Sequence, residues 1–187
     1  MVQFYGMVLA TMVREYRDSY RFCAMKIRLA ALLLALTTGL ALPAAAQNRS
    51  QIDSVLRGQS CAGCNLFQGS FSGLSGNGIN LAGARLRQSD LSLATLNRAR
   101  LNGTDMRDVE AYGAVFSGAN FSGANLSNAS FVGTWLQGAS FSNAILEGTN
   151  FSGADLSRAT GLTQRQLNLA CGDEATKLPS GLQVSAC

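Results

Sequence analysis

The sequence contains no histidine among its 187 residues. Histidine is the side chain that most readily exchanges a proton near neutral pH, so its absence removes the most common general acid and base. It also excludes a c-type haem attachment motif and any zinc site that combines cysteine with histidine. Serines abound without a base beside them. The sequence therefore predicts a protein with no catalytic site and no cofactor.

An apolar run long enough to span a bilayer comfortably is also lacking. The run at residues 29–42 follows the basic segment Met25-Lys26-Ile27-Arg28 and precedes small residues that end at Ala46, whereas a spanning helix needs about 20 apolar residues. This order is typical of a signal peptide. We expect translation to start at Met25, cleavage after Ala46, and a periplasmic or secreted mature protein that begins at Gln47. The alternatives are an uncleaved anchor and an unusually long basic n-region.

The mature chain lacks a strong excess of charge of either sign. The full chain has 15 basic and 11 acidic residues. Residues 1–46 contain five of the basic and two of the acidic ones, so residues 47–187 carry 10 minus 9, or a net charge of +1. Nucleic-acid binding requires a positive surface that neutralises phosphates. We therefore expect no nucleic-acid partner, and no membrane span once the leader is removed.

What the sequence does contain is a repeat with a period of five residues. Nineteen positions spaced by five, from Leu66 to Leu156, form a column of large residues that lapses only at Gly76 and Ala111. The position two residues before each of them forms a column of small residues, with three exceptions: Leu74, Ile79 and Val109. Neither an α-helix nor a β-strand keeps such columns on one face over this distance. The pattern therefore excludes a long helix and indicates a repeat architecture.

Three stretches carry a family resemblance: Ala119-Asn120-Phe121-Ser122-Gly123, Ala124-Asn125-Leu126-Ser127-Asn128 and Ala154-Asp155-Leu156-Ser157-Arg158. They resemble successive repeats of the pentapeptide-repeat family, and the resemblance covers roughly residues 61–160. It implies an all-β solenoid, a right-handed quadrilateral β-helix with one pentapeptide on each side and both columns pointing inward.

About one hundred residues at 20 per coil correspond to about five coils, stacked about 4.8 Å apart. Side chains 20 residues apart should then form ladders, with Phe121 stacked on Phe141 and Phe131 on Phe151. Gly or Asn recurs two residues after the large residue, where a corner needs positive φ. We expect a local bulge or a small void at each lapse of the pattern, at residues 75–78 and 110–112, where irregular segments can carry function.

The ends of a solenoid need covering, and the sequence predicts an N-terminal cap at residues 47–60 and a C-terminal cap at 161–187. Ser50 and Asp53 indicate the start of a short helix at the front. At the back, Thr163 and Gln166 form a capping box that predicts a helix over residues 164–170, ended by Gly172. This tail also resembles the segment that follows the repeats in exported members of the family.

Four cysteines lie in the mature chain: Cys61, Cys64, Cys171 and Cys187. Three pairings are possible, and an oxidising compartment favours a bridge between Cys171 and Cys187 over free thiols. By the chain-entropy model, closing that loop contributes about 3 kcal/mol. Cys61 and Cys64 fall in the two inward columns, either bridged or as buried thiols. A four-cysteine zinc site and a thiol oxidoreductase are the weaker alternatives.

Two surface features stand out among the outward positions. Residues 85–110 are charged, and Arg85 should lie beside Asp105 as part of a solvated face. Val115 and Trp135 are 20 residues apart and should form a small exposed apolar patch, the best candidate for contact with a partner because tryptophan is enriched at interface hot spots.

These observations favour a non-catalytic exported module with a structural role or a role in protein–protein interaction, whose partner is a protein. The alternative comes from the resemblance, because some pentapeptide-repeat proteins mimic DNA and bind a type II topoisomerase. That role needs an acidic column and a cytoplasmic location, and this sequence departs from both.

Overall fold

The computed structural model describes residues 47–187. The predictions of a signal peptide, a cleavage site and a start at Met25 concern residues outside this range. The described part contains helix α1 (Arg49–Leu56), helix α2 (Gln164–Leu167), and strands β1 (Cys171–Gly172) and β2 (Ser185–Ala186), which pair in parallel. None of its helices has the length and apolarity needed to cross a bilayer.

Helix α1 begins two residues earlier than the sequence suggested. Asn48, not Ser50, is the N-cap, and its side-chain oxygen accepts a hydrogen bond from the Gln51 amide. Asparagine and serine cap helices about equally well, so both positions were compatible with the pattern. Val55 on this helix is fully buried in the core of the repeats, and Ile52 packs against the same core.

Residues 61–160 wind in coils of 20 residues. Parallel bridges join residues 20 apart, and successive bridges form four ladders along the coils. At one of them the Leu66 amide donates to the Arg85 carbonyl at 2.8 Å, and the Arg85 amide donates to the Cys64 carbonyl at 2.9 Å. The period of five therefore places one repeat on each of four sides, as the resemblance to the pentapeptide-repeat family implied.

The two columns of the repeat form the core. The large residues from Leu66 to Leu156 are buried, and the small residues two positions earlier lie between them. Phe121 stacks on Phe141 with ring centroids 5.2 Å apart, and Phe131 lies 5.8 Å from Phe151. The expected phenylalanine ladders are therefore confirmed.

The prediction of bulges where the pattern lapses is wrong. The ladders continue without interruption through Ser75 and Glu110, which pair with Thr95 and Ser130. Leu74 and Ile79 are buried on either side of Gly76, so large side chains in the small column replace the volume that Gly76 lacks. A Cβ atom on Gly76 would lie only 3.1 Å from Leu96 Cδ2, which leaves no room for a void.

The outward residue before each large one also has a structural role. Wherever it is Asn or Asp, its side-chain oxygen accepts a hydrogen bond from the backbone amide two residues later, as Asn120 does from Ser122 at 2.9 Å. The same bond forms at seven other positions: Asn65, Asn80, Asp90, Asp105, Asn125, Asn150 and Asp155. Within residues 61–160, the ladder bonds do not use this amide. The Asn or Asp of the repeat therefore satisfies a turn amide that the coil would leave to water.

The C-terminal segment departs from the predicted helix after one turn. Helix α2 keeps the expected capping box between Thr163 and Gln166 but ends at Leu167. The chain must then extend along the last coil, because the Leu169 carbonyl accepts from the Gly148 amide at 2.7 Å. Gly172 consequently lies in β1 and does not end a helix.

Gln166 in α2 also closes the edge of the repeats. Its side-chain Nε2 donates to the carbonyls of Phe141 and Ala144, at 3.0 and 2.9 Å. At the opposite edge, the Gln51 side chain accepts from the Asn65 amide at 2.8 Å. At each end, a glutamine amide replaces a backbone group that another coil would supply.

Candidate interaction surface

One side of the coils carries the predicted contact residues. Its ladder runs through Ser75, Thr95, Val115, Trp135 and Asp155, and we call it the tryptophan face. Val115 and Trp135 are bridged neighbours, and the Trp135 side chain is 55% exposed. The structure therefore brings together the two residues that the sequence paired.

The apolar surface is larger than this pair. At the corner that leads into the tryptophan face, Leu93 is 60% and Tyr112 is 58% exposed. Their coils are adjacent there, since the Leu93 amide donates to the Tyr112 carbonyl at 2.8 Å, and the Gly113 amide bonds to the Val132 carbonyl at 2.9 Å. We call Leu93, Tyr112, Val115, Val132 and Trp135 together the apolar patch. Large exposed apolar groups in one place are typical of interaction sites.

Leu93 has a backbone conformation that leucine rarely adopts. Its φ is 58°, in the left-handed region, which is costly for an ordinary side chain. The other four coils have glycine at this corner, at positions 73, 113, 133 and 153. The Leu93 side chain lies over Gly113, where a Cβ atom would come within 3.0 Å of Leu93 Cδ2. Glycine at position 93 would adopt this positive φ without strain. Leu93 therefore combines backbone strain with an exposed apolar side chain.

Val115 and Trp135 break a second local rule. They occupy the outward position at which Asn or Asp would bond the turn amide, and neither side chain can accept that hydrogen bond. Strained or locally unfavourable residues concentrate at functional sites. Leu93, Val115 and Trp135 are three residues of this kind within one patch, although single cases also occur elsewhere in the coils, as Gln88 does at another corner. The column of glycines in the sequence could have identified Leu93, whereas placing Tyr112 beside it required the geometry of the corner.

Hydrogen bonds keep Asp155, the ladder neighbour of Trp135, in its charged form. Gln137 Nε2 donates to Asp155 Oδ2 at 2.8 Å, and Ser157 donates to Asp155 Oδ1 at 2.7 Å. Burial works to raise the pKa of Asp155, but these hydrogen bonds outweigh it and hold the pKa below its ordinary value. Asp155 therefore remains a carboxylate at neutral pH and forms a charged boundary of the patch.

The charged region at residues 85–110 forms its own ion pairs. Arg85 and Asp105 are bridged neighbours as expected, but Asp105 bonds Arg107 at 2.7 Å, and Arg87 bonds Asp108 at 3.2 Å. The hydrogen bond from Arg107 lowers the pKa of Asp105. The Arg85 guanidinium instead lies 4.9 Å from the centre of the Phe67 ring. Four of the charged side chains are thus paired with one another on the surface, which suits a solvated face.

The cysteines lie in two pairs at disulfide distance. The Cα atoms of Cys61 and Cys64 are 5.5 Å apart, and those of Cys171 and Cys187 are 4.8 Å apart. Cys64 is buried and Cys61 partly buried at the first coil. Cys187 lies beside β1, where its amide donates to the Gly172 carbonyl at 3.0 Å. Among residues 47–187, no group of three or more His, Cys, Asp or Glu side chains could hold a metal ion.

Comparison with known families agrees with this geometry. Eight copies of the pentapeptide repeats family model match the chain, within residues 77–110, 108–143 and 124–160. Residues 77–160 therefore consist of pentapeptide repeats, and proteins of this family are right-handed β-helices. No curated protein matches the chain.

Solved structures of pentapeptide-repeat proteins are similar to this chain. HetL, involved in heterocyst differentiation regulation in the cyanobacterium Nostoc sp. strain PCC 7120, is 21% identical over 70% of this chain, with a TM-score of 0.29, and the chain spans 63% of its length. A protein from the Arabidopsis thaliana thylakoid lumen is 29% identical over 65% of this chain and 83% of its own, with a TM-score of 0.30. QnrB1, a plasmid-mediated fluoroquinolone resistance protein, is 24% identical over 63% of this chain and 79% of its own, with a TM-score of 0.31.

Proposed function

We propose that the protein is an exported, non-catalytic interaction module that binds a protein partner through the apolar patch. Its scaffold is a solenoid of about five coils, closed by caps at residues 47–60 and 161–187. The observation that carries this proposal is the coincidence of large exposed apolar side chains and local backbone or hydrogen-bond cost at Leu93 and Trp135, with the partly buried Val115 between them in the chain.

The shape of the surface also supports binding of a macromolecule. The recess of about 460 Å³ beside Gln166 is open and lined mainly by polar groups, whereas small-molecule sites are mostly deep and apolar. A rigid repeat scaffold instead offers an extended side on which aromatic anchors stay fixed. Trp135 and Tyr112 are residue types that contribute most to protein interfaces.

Replacing Trp135 with asparagine should separate stability from binding. The asparagine side chain can accept a hydrogen bond from the backbone amide of Gln137, which Trp135 cannot do. The free energy of unfolding should therefore stay level or rise by about 1 kcal/mol. Loss of a tryptophan that the partner would cover should weaken partner binding by at least about 2 kcal/mol. Urea unfolding measures the first effect. Photocrosslinking from position 112 in cells, with adduct identification by mass spectrometry, detects the second as a loss of the adduct and identifies the partner.

The control crosslinker replaces Gln88, which is exposed at another corner. We expect a discrete adduct from position 112, none from 88, and loss of the adduct in Trp135→Asn. An adduct of equal yield from both positions, or one indifferent to the Trp135 substitution, would contradict the assignment of the patch as the interface.

The DNA-mimicking alternative receives no support from the charge pattern. It requires a column of acidic side chains, and in the described coils the acidic ladder neighbours are only Asp90 and Glu110. The other acidic residues on the ladders adjoin neutral or basic ones, as Asp105 adjoins Arg85 and Asn125.

Export is the part of the proposal that intact mass can test. The order of basic residues, apolar run and small residues in residues 25–46 supports cleavage after Ala46, and an oxidising compartment suits the two cysteine pairs. Protein recovered from the periplasm should have a mass that begins at Gln47 and includes two disulfides. An uncleaved cytoplasmic product with free thiols would refute export.

A further inference from the structure

A polar recess lies at the corner where the tryptophan face ends. Its volume is about 370 Å³, and it is lined by Asn77, Asn97, Arg98 and Ser117. Residues 77, 97 and 117 occupy the same position in three successive coils, since they are 20 residues apart. The recess therefore presents two amides and a hydroxyl in a row beside one guanidinium.

Arg98 is held at this corner at a conformational cost. Its φ is 56°, while the coils before and after it have glycine at positions 78, 118 and 138. The stem of Arg98 lies across Gly118, where a Cβ atom would be 3.5 Å from Arg98 Cγ. Leu93 and Arg98 thus replace corner glycines at the two ends of the same segment of the tryptophan face.

The charge of Arg98 is not compensated by a carboxylate within the described chain. The ion pairs of residues 47–187 join Arg87 to Asp108 and Arg107 to Asp105. Arg100, two residues after Arg98, is exposed and takes part in neither pair. The other groups that line the recess are uncharged. A guanidinium beside neutral hydrogen-bonding groups is suited to a carboxylate, which it can bind through two parallel hydrogen bonds.

We propose that this recess binds a carboxylate of the partner segment whose apolar side chains dock on the apolar patch. This inference rests on the proposed function, because it assigns the chemistry of the same partner. The partner segment presents a large apolar or aromatic side chain and an aspartate or glutamate, separated by about the width of one coil side. The apolar contact supplies most of the affinity, and Arg98 selects the acidic segment and sets its direction across the face.

Synthetic peptide arrays can test this pairing. Each 12-residue peptide contains one phenylalanine and one glutamate at varied spacing, and each has a twin with glutamine in place of glutamate. Affinities of the best pairs are measured in solution through the fluorescence of Trp135, the only tryptophan in the chain. At the best spacing, the glutamate peptide should bind about fivefold to tenfold more tightly than its twin. Arg98→Gln should abolish this preference and keep the affinity for the glutamine twin.

The matched control is Arg158→Gln, an exposed arginine 60 residues further on that does not line the recess. It should retain the preference for glutamate. Equal binding of both twins, an unchanged preference in Arg98→Gln, or stronger competition by inorganic phosphate than by acetate would overturn the carboxylate site and leave the apolar patch standing. Failure of all phenylalanine peptides to bind would overturn both proposals.

Discussion

Replacing Phe131 with alanine is expected to lower the free energy of unfolding by about 3 to 5 kcal/mol. Phe131 is fully buried and lies at the centre of the aromatic core, with ring centroids 5.8 Å from Phe116, 5.9 Å from Phe121 and 5.8 Å from Phe151. The ladders fix the backbone on all four sides, so the coil cannot collapse into the space. The cavity therefore remains and adds to the lost transfer free energy. Denaturant unfolding followed by circular dichroism measures the change.

Phe67→Ala is the matched control for this substitution. Phe67 is only partly buried on the outside of the first coil, where it contacts the Arg85 guanidinium. Its loss should cost about 1 kcal/mol or less, since an exposed cation–π contact contributes about 0.5 to 1 kcal/mol. Similar costs for the two variants would contradict a close-packed interior in which Phe131 is central.

Removing the cysteine pair at the C-terminal segment should have the second largest effect. The double substitution Cys171→Ser and Cys187→Ser is expected to lower the free energy of unfolding by about 3 kcal/mol on the chain-entropy model. The segment between these cysteines covers the edge of the repeats, where Thr176 Oγ1 donates to the Phe151 carbonyl at 3.0 Å and Asp173 accepts from the Gly153 amide at 2.8 Å. Urea unfolding of the oxidised proteins measures the loss.

The comparison variant is Cys61→Ser with Cys64→Ser. This pair is separated by three residues instead of 16, so its loop-closure contribution is smaller, about 2 kcal/mol on the same model. A reducing agent should lower the stability of the parent protein by both contributions and that of the C-terminal variant by only the smaller one, so that the two proteins become about equally stable once reduced. A parent protein indifferent to reduction would show that the proposed bridges do not stabilise it.

The core was predictable because the fold depends on side-chain size at fixed intervals. Each large residue of the period faces inward regardless of the residues at the corners. Because one coil contains 20 residues, Phe121 and Phe141 must stack on each other. The lapse at Gly76 was misjudged for a related reason. The column of large residues shows that Gly76 lacks volume. The side chains that fill this volume, Leu74 and Ile79, belong to the column of small residues, and their packing beside Gly76 is evident only in the structure.

The interaction surface was only partly predictable. Val115 and Trp135 are one coil apart in sequence, so their pairing followed from the period alone. Leu93 and Tyr112 come from different positions of the repeat and meet across a corner, which the columns do not describe. The cost at Val115 and Trp135 became visible only once the structure showed that Asn and Asp bond the turn amide, as Asn120 does for Ser122.

The 20-residue coil makes changes of length in this protein discrete. Inserting one pentapeptide between Val115 and Trp135 would preserve both inward columns, and the protein would still pack. Every later residue would nevertheless turn by a quarter of the circumference, so Trp135 would lie over Asn120 and the apolar patch would be divided between two sides. Adding or removing a whole coil leaves every later residue on its original side of the solenoid. Evolution can therefore lengthen such a chain in steps of five while only folding matters, but in steps of 20 once two coils share a binding surface.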